Sequence, residues 1–203
     1  MPIFTYRTLQ TVAKGVYKEK GSKFLSFAYP VSTEAEIKEI IDGVKREYFD
    51  ARHHCYAWML GAEKKCFRTF DDGEPNHSAG DPILGQIRSR DLTNVLIVVV
   101  RYFGGVKLGV GGLISAYKSA AEDALTGAFV IEQEVYERVD VLYDYASTAD
   151  VMRLVKAFDL RIVQQVFKDN CTLEAKLALR HKDKFEEQVN LMNALGVSIT
   201  LKR

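Results

Sequence analysis

Three cysteines, four prolines and one tryptophan stand among 203 residues, and no apolar run is long enough to cross a membrane. The thiols, Cys55, Cys66 and Cys171, are odd in number and widely spaced. That fits reduced thiols better than a disulfide framework. No internal repeat and no low-complexity tract interrupts the chain. No apolar stretch near residue 1 reads as a signal peptide, so the expected location is the cytoplasm, with no membrane partner. An excess of charge is also missing. Residues 1–131 hold 17 basic and 15 acidic side chains, and residues 132–203 hold 11 and 12. A dedicated nucleic-acid binder usually carries a stronger basic footprint, so any such role has to rest on a local patch. What is present, 47% apolar and 27% charged residues, suits a globular chain of one large or two small domains.

The stretch that organises the chain is VLIVVVRYFGGVKLGVGGLISAYKSAAEDALTGA at 95–128. Six apolar residues at 95–100, four of them valine, predict a buried strand. Gly104, Gly105, Gly109, Gly111 and Gly112 predict a loop. Leu113, Ile114, Ala116, Tyr117, Ala120, Ala121 and Ala124 then recur at helical spacing, stopped by Gly127. A strand, a glycine loop and a helix N-terminus together build a generic anion site, and Arg101 and Lys107 flank it. The loop lacks the Gly-Lys-Ser/Thr of a Walker A motif and the third glycine of a dinucleotide fingerprint. The five glycines equally suit tight turns and close helix–strand packing, and both readings stand at this point.

Before that stretch, 16–20 and 24–30 predict two strands turned at Gly21-Ser22, with Lys18, Lys20 and Lys23 around a solvated tip. Residues 33–48 predict a helix with a Thr33/Glu36 capping box. Strands follow at 54–60 and 66–70. Asp71-Asp72-Gly73-Glu74-Pro75 is turn chemistry. A helix to about Arg90 should follow, capped by Ser78 or Asp81 with Pro82 at its first position. From near Ile131 the order is strand 135–145, helix 147–160 capped by Ser147 and Asp150, strand 162–167, a turn at 168–170, and strand 171–179. A helix around Phe185 to Leu195 and a strand at 197–201 complete it. This βαββαβ order is the ferredoxin-like plan. The expectation is an α+β chain with domains at 1–130 and 131–203.

His53, His54, Cys55, Cys66 and His77 lack the close pairs of a zinc site, so no metal is expected, and hydrogen bonding at the strand start is the better role for the two adjacent histidines. Asp71, Asp72 and Glu74 could hold a cation or act as a base, or could be an acidic turn bonded to backbone N–H groups. Cys55, inside an apolar strand, is a poor thiolate. Tyr102 and Phe103, at a strand end beside Arg101 and Lys107, are candidates for stacking on bases.

Three segments carry a resemblance: DARHHCYAW at 50–58, DDGEPNHSAGDP at 71–82 and RYFGGVKLGVGGLISAY at 101–117. In spacing and order they resemble the YigZ/IMPACT family, and the second domain is similar as well. Asn76-His77-Ser78 departs from the Gly-Thr more frequent there. The resemblance implies an N-terminal domain like those of a small-subunit ribosomal protein and domain IV of elongation factor G, and a ferredoxin-like C-terminal domain. It implies RNA, the ribosome or a translation-regulating protein as partner. Eukaryotic members restrain an amino-acid-starvation kinase with an extra N-terminal domain, a role not expected of this chain. The expected function is non-catalytic binding without a cofactor. Arg101, Lys107, Gly104, Gly105, Gly109, Gly111 and Gly112 would form a phosphate-facing surface. Arg52 and His53 would lie beside it, and Asp71, Asp72 and Glu74 would shape the facing turn. An enzyme acting on a phosphorylated or nucleotide substrate, and a purely protein-binding regulator, are the other readings.

Overall fold

The structure is a computed structural model that describes residues 2–168 and 170–202. It divides into two compact units, Tyr6–Gln133 and the segment from Glu134 onward joined by the residues up to Thr5.

In the first unit the six-residue apolar run becomes the middle of a five-stranded antiparallel sheet. Strand β1 (Thr5–Leu9) stands outside this sheet. Within it are β2 (Ala13–Glu19), β3 (Ser22–Pro30), β4 (His53–Leu60), β5 (Cys66–Phe70) and β6 (Val95–Tyr102), in the order β2-β3-β6-β4-β5. Burial on both faces explains why β6 reads as a continuous apolar run rather than an alternating one. On one face α1 (Glu34–Glu47) packs Ile37, Ile41 and Val44 onto Phe27, Trp58, Leu96, Val98 and Val100. On the other, α2 (Gly80–Ser89) and α3 (Gly109–Thr126) cover Phe24, Cys55, Ala57, Ile97 and Val99. The small residues of α3, Ala116, Ala120, Ala121 and Ala124, are all fully buried there. Strand β1 pairs instead with β7 (Val130–Glu134) as a two-stranded ribbon that the sequence does not announce.

Three local expectations shift. The β2–β3 turn sits at Lys20-Gly21, both at positive φ, with Glu19 opposite Ser22; a two-residue hairpin of this kind matches the twist of its strands. Helix α3 starts at Gly109, so Gly109, Gly111 and Gly112 form its first turn and the loop proper is residues 103–108. Helix α2 takes no cap from Ser78 or Asp81, and Pro82 is its third residue. The Thr33 cap of α1 holds: its hydroxyl accepts from Glu36 N at 3.2 Å, while Glu36 Oε2 accepts from Ser32 N at 2.7 Å.

In the second unit β8 (Tyr136–Tyr143), β9 (Arg161–Val166), β10 (Cys171–Ala178) and β11 (Ile199–Lys202) form an antiparallel sheet in the order β11-β8-β10-β9. With α4 (Thr148–Ala157) and α5 (Lys182–Ala194) between them, this is the βαββαβ plan. Val141, Leu173, Ala175 and Leu177 meet Val151, Leu154, Phe185 and Val189 in its core. The cap ahead of α4 is Asp144, whose carboxylate accepts from Ser147 N at 2.8 Å, rather than Ser147 or Asp150. The turn at 168–170 includes Asp169, which lies outside the described residues. No helix among the described residues is long and apolar enough to cross a membrane.

Candidate functional site

Sheet register assembles the site. His53 stands opposite Arg101 on one side, and Phe24 stands opposite it on the other. This row lies at one end of the sheet, on the face under α2 and α3. The Asp71–Glu74 turn folds over the row. Glu74 N donates to the Asp71 carbonyl at 2.9 Å, with Asp72 and Gly73 both at positive φ, as a tight turn of the primed kind requires.

Each carboxylate of that turn points inward and is occupied. Glu74, 8% exposed, accepts from Arg101 Nη1 at 2.5 Å and from Tyr117 Oη at 2.8 Å on the same oxygen. Asp71 Oδ1 accepts from Ala79 N at 3.0 Å and Gly80 N at 2.8 Å, so it is the cap that α2 lacks locally. Asp71 Oδ2 accepts from His77 N at 2.9 Å. Asp72 Oδ2 accepts from His54 N at 2.7 Å. His53 Nδ1 donates to the Asp72 carbonyl at 2.8 Å, which leaves Nε2 3.9 Å from Glu74 Oε1. His54 Nε2 donates to the Tyr48 carbonyl at 2.9 Å. Both histidines, at the start of β4, therefore hold backbone carbonyls of the flanking segments. Among the described residues no cluster of three histidine, cysteine or acidic side chains is disposed to hold a metal.

Arg101 lies inside rather than on the surface. It is 5% exposed, its guanidinium carbon lies 5.5 Å from the Phe24 ring and 5.7 Å from the Phe103 ring, and Nε has no hydrogen-bond partner. A charge held this deep is tolerable because Glu74 neutralises it and two aromatic faces flank it. Cys55 Sγ lies 3.0 Å from the Asp71 carbonyl oxygen and 3.3 Å from Tyr117 Oη. Burial pushes both the Cys55 thiol and the Tyr117 hydroxyl above their ordinary pKa, so both stay protonated. Tyr117 is a member of the network that helical periodicity assigned only to the core. Its signal is a hydroxyl on an otherwise alanine-rich buried stripe, where a buried O–H needs a partner.

The glycine loop does face outward. Gly105, Val106, Lys107, Gly109 and Gly111 are exposed, and Phe103 is 44% exposed. Gly104 is different: it presses on the β2–β3 turn so closely that a β-carbon there would fall inside the Gly21–Ser22 peptide. Gly104 N also donates to Ser22 Oγ at 3.2 Å. This contact brings Lys20 at the hairpin tip to the loop that carries Lys107. Lys18 and Lys23 stand directly opposite each other one pair back, and Lys23 is opposite Tyr102. All four lysines are exposed, as is Arg52, whose N–H donates to the Arg101 carbonyl at 3.3 Å. The structure thus joins Lys107 and Arg52 to three lysines that the sequence left on a separate solvated turn.

A two-unit α+β protein with an inward-bonded acidic turn beside an exposed lysine and glycine rim is the class that this geometry defines. The Impact N-terminal domain model matches residues 20–125. IMPACT family member YvyE of Bacillus subtilis (strain 168) is 29% identical over 185 residues, 91% of this chain and 85% of that protein. An IMPACT family member of Haemophilus influenzae is 33% identical over 159 residues, 76% of each chain. A solved structure described as a hypothetical protein superposes with a TM-score of 0.79 at 26% identity, covering 98% of this chain and 97% of its own. The chain belongs to the IMPACT family.

Proposed function

We propose that this protein is a non-catalytic binding protein of the translation machinery that docks on RNA through the lysine and glycine rim of its first unit. The observation that carries this reading is the Gly21–Gly104 contact, which makes one cationic edge from Lys18, Lys20, Lys23 and Lys107. Phosphate contacts need mobile, exposed cations, and lysines on a hairpin tip supply them. Phe103, exposed beside Lys107, offers a ring on which a base can stack. The N–H groups of the first α3 turn have no side-chain cap and no acidic neighbour in that turn. Arg101 supports the rim from beneath by holding Glu74, and Lys107 with the hairpin lysines takes the phosphate-facing role. The inward bonding of Asp71, Asp72 and Glu74 favours binding over metal or proton chemistry at this turn.

The test is co-sedimentation with ribosomes, and affinity for a single-stranded RNA, across a salt series. Replacing Lys18, Lys20, Lys23 and Lys107 by alanine should weaken association and lower the salt slope by about 3, since each single-strand phosphate contact contributes about 0.7. An unchanged slope removes the rim from consideration.

A further inference from the structure

The first unit has a second feature at another edge of its sheet, which the RNA reading does not use. On one face of the sheet the apolar side chains of α1 pack on β3, β6 and β4, whereas α1 reaches β5 with Lys45, whose Nζ lies 5.7 Å from the centre of the Phe70 ring. The result is a cleft of ≈ 490 Å³ between α1 and the sheet edge, within the size range of natural binding clefts. Its floor is aromatic: Tyr56 and Phe70 stack at 5.1 Å beside Trp58. Its charged rim has three cations, Lys38 and Lys45 on α1 and Arg68 on β5, and two carboxylates, Glu34 and Asp42 on α1. Lys38 and Lys45 are two helical turns apart, so they share a face at a separation of about 10 Å.

The strand that borders the cleft is open. Among the described residues β5 pairs only with β4, and its outer edge makes no backbone hydrogen bond. It exposes Cys66, Phe67, Arg68 and Phe70. An unpaired edge of this kind accepts another strand unless it is blunted. No proline interrupts it, and the register with β4 is regular from Cys66 to Phe70. Five residues offer an edge of roughly 17 Å.

We propose that this cleft is a docking groove for an extended, acidic peptide segment of a partner protein, which adds as a strand to the outer edge of β5. Main-chain hydrogen bonds to β5 supply affinity, and alternate side chains of the peptide enter the cleft. An apolar side chain there meets Ile41 and Phe70, and acidic side chains meet Lys38, Lys45 and Arg68. A peptide fits better than a nucleic acid for two reasons. The open edge presents N–H and C=O groups in alternation, which only another backbone matches. Glu34 and Asp42 also line the α1 wall, where they repel a continuous line of phosphates while leaving room for isolated carboxylates.

A displayed library of random decapeptides, selected on the intact protein and counter-selected on Lys45→Glu/Arg68→Glu, tests this. Enriched peptides should alternate apolar and acidic residues and bind the double variant at least tenfold more weakly. They should also shift the backbone amide resonances of residues 66–70. N-methylation of alternate peptide residues should abolish binding in one register and spare it in the other. Circular dichroism confirms that the variant is folded; if it is not, Arg68→Glu alone serves. The proposal is overturned by absence of enrichment, by peptides that bind both forms equally or survive methylation in both registers, or by shifts confined to other strands. Oligouridylate shifting these amides where no peptide does would overturn it in favour of a nucleic acid. None of these outcomes depends on the lysine rim, so the two readings fail separately.

Discussion

Two polar, turn-rich stretches meet near one end of the first sheet, and they face opposite ways. The acidic turn at 71–74 sends every carboxylate inward, onto Arg101, Tyr117 and the backbone of β4 and α2. The stretch at 103–112 keeps its cation and most of its glycines in solvent. Residue type alone suggests that charged groups in both stretches are surface groups. The difference arises from register: Arg101 falls on the covered face of β6, in line with Val95, Ile97 and Val99, and a buried guanidinium needs a carboxylate brought to it. Lys107 lies past the strand end, where nothing covers it.

Removing the inward partner should have the largest effect. Glu74→Ala leaves Arg101 buried and unpaired and should cost about 3–5 kcal/mol in urea unfolding. A loss under about 1 kcal/mol would show that water reaches Arg101 and that the two stretches differ less in burial. Gly104→Ala attacks the junction that carries the rim. It should destabilise by about 1–3 kcal/mol through overpacking against the Gly21–Ser22 peptide, and should weaken RNA association with every lysine intact. Normal RNA binding in that variant would separate the hairpin from the loop. Lys23→Ala relieves the like-charge pair with Lys18 and should raise stability by about 0.2–1 kcal/mol while lowering RNA affinity. Opposite signs in the two assays mark a group kept for contact rather than for folding.

The smallest effect concerns thiols. Cys66 is exposed, and Cys55 and Cys171 are buried, so a disulfide reagent should titrate one thiol rapidly in the native protein and all three after unfolding. The Cys55 thiol has its pKa raised by burial. Its contribution to stability is therefore complete below the unfolded thiol pKa of about 8.5 and is lost as pH rises above it, because the unfolded chain releases its proton first. Cys55→Ser should flatten that alkaline decline.

Much of the fold is local and so was legible. The valine run of β6, the Thr33/Glu36 box and the alternation of Leu173, Ala175 and Leu177 each specify an element within a few residues. The β1–β7 ribbon was not, because two short strands more than a hundred residues apart carry no signal of their mutual pairing. In the site, the Asp72-Gly73 turn and the backbone roles of His53 and His54 could be read, whereas the buried state of Arg101 could not. A lone arginine after six apolar residues marks either a strand end or a buried charge, and only Glu74, 27 residues away, decides between them.

The cap on α2 has a consequence for the order of folding. Asp71 belongs to the chain that follows β5, and it completes the first turn of a helix beginning nine residues later. That helix cannot satisfy its leading N–H groups by itself, so a peptide spanning 76–90 should be a poor helix in isolation. Nucleation of α2 then waits for the β4–β5 hairpin to place the carboxylate. Asp71→Ala should slow folding less than it speeds unfolding, as befits a contact made after the transition state.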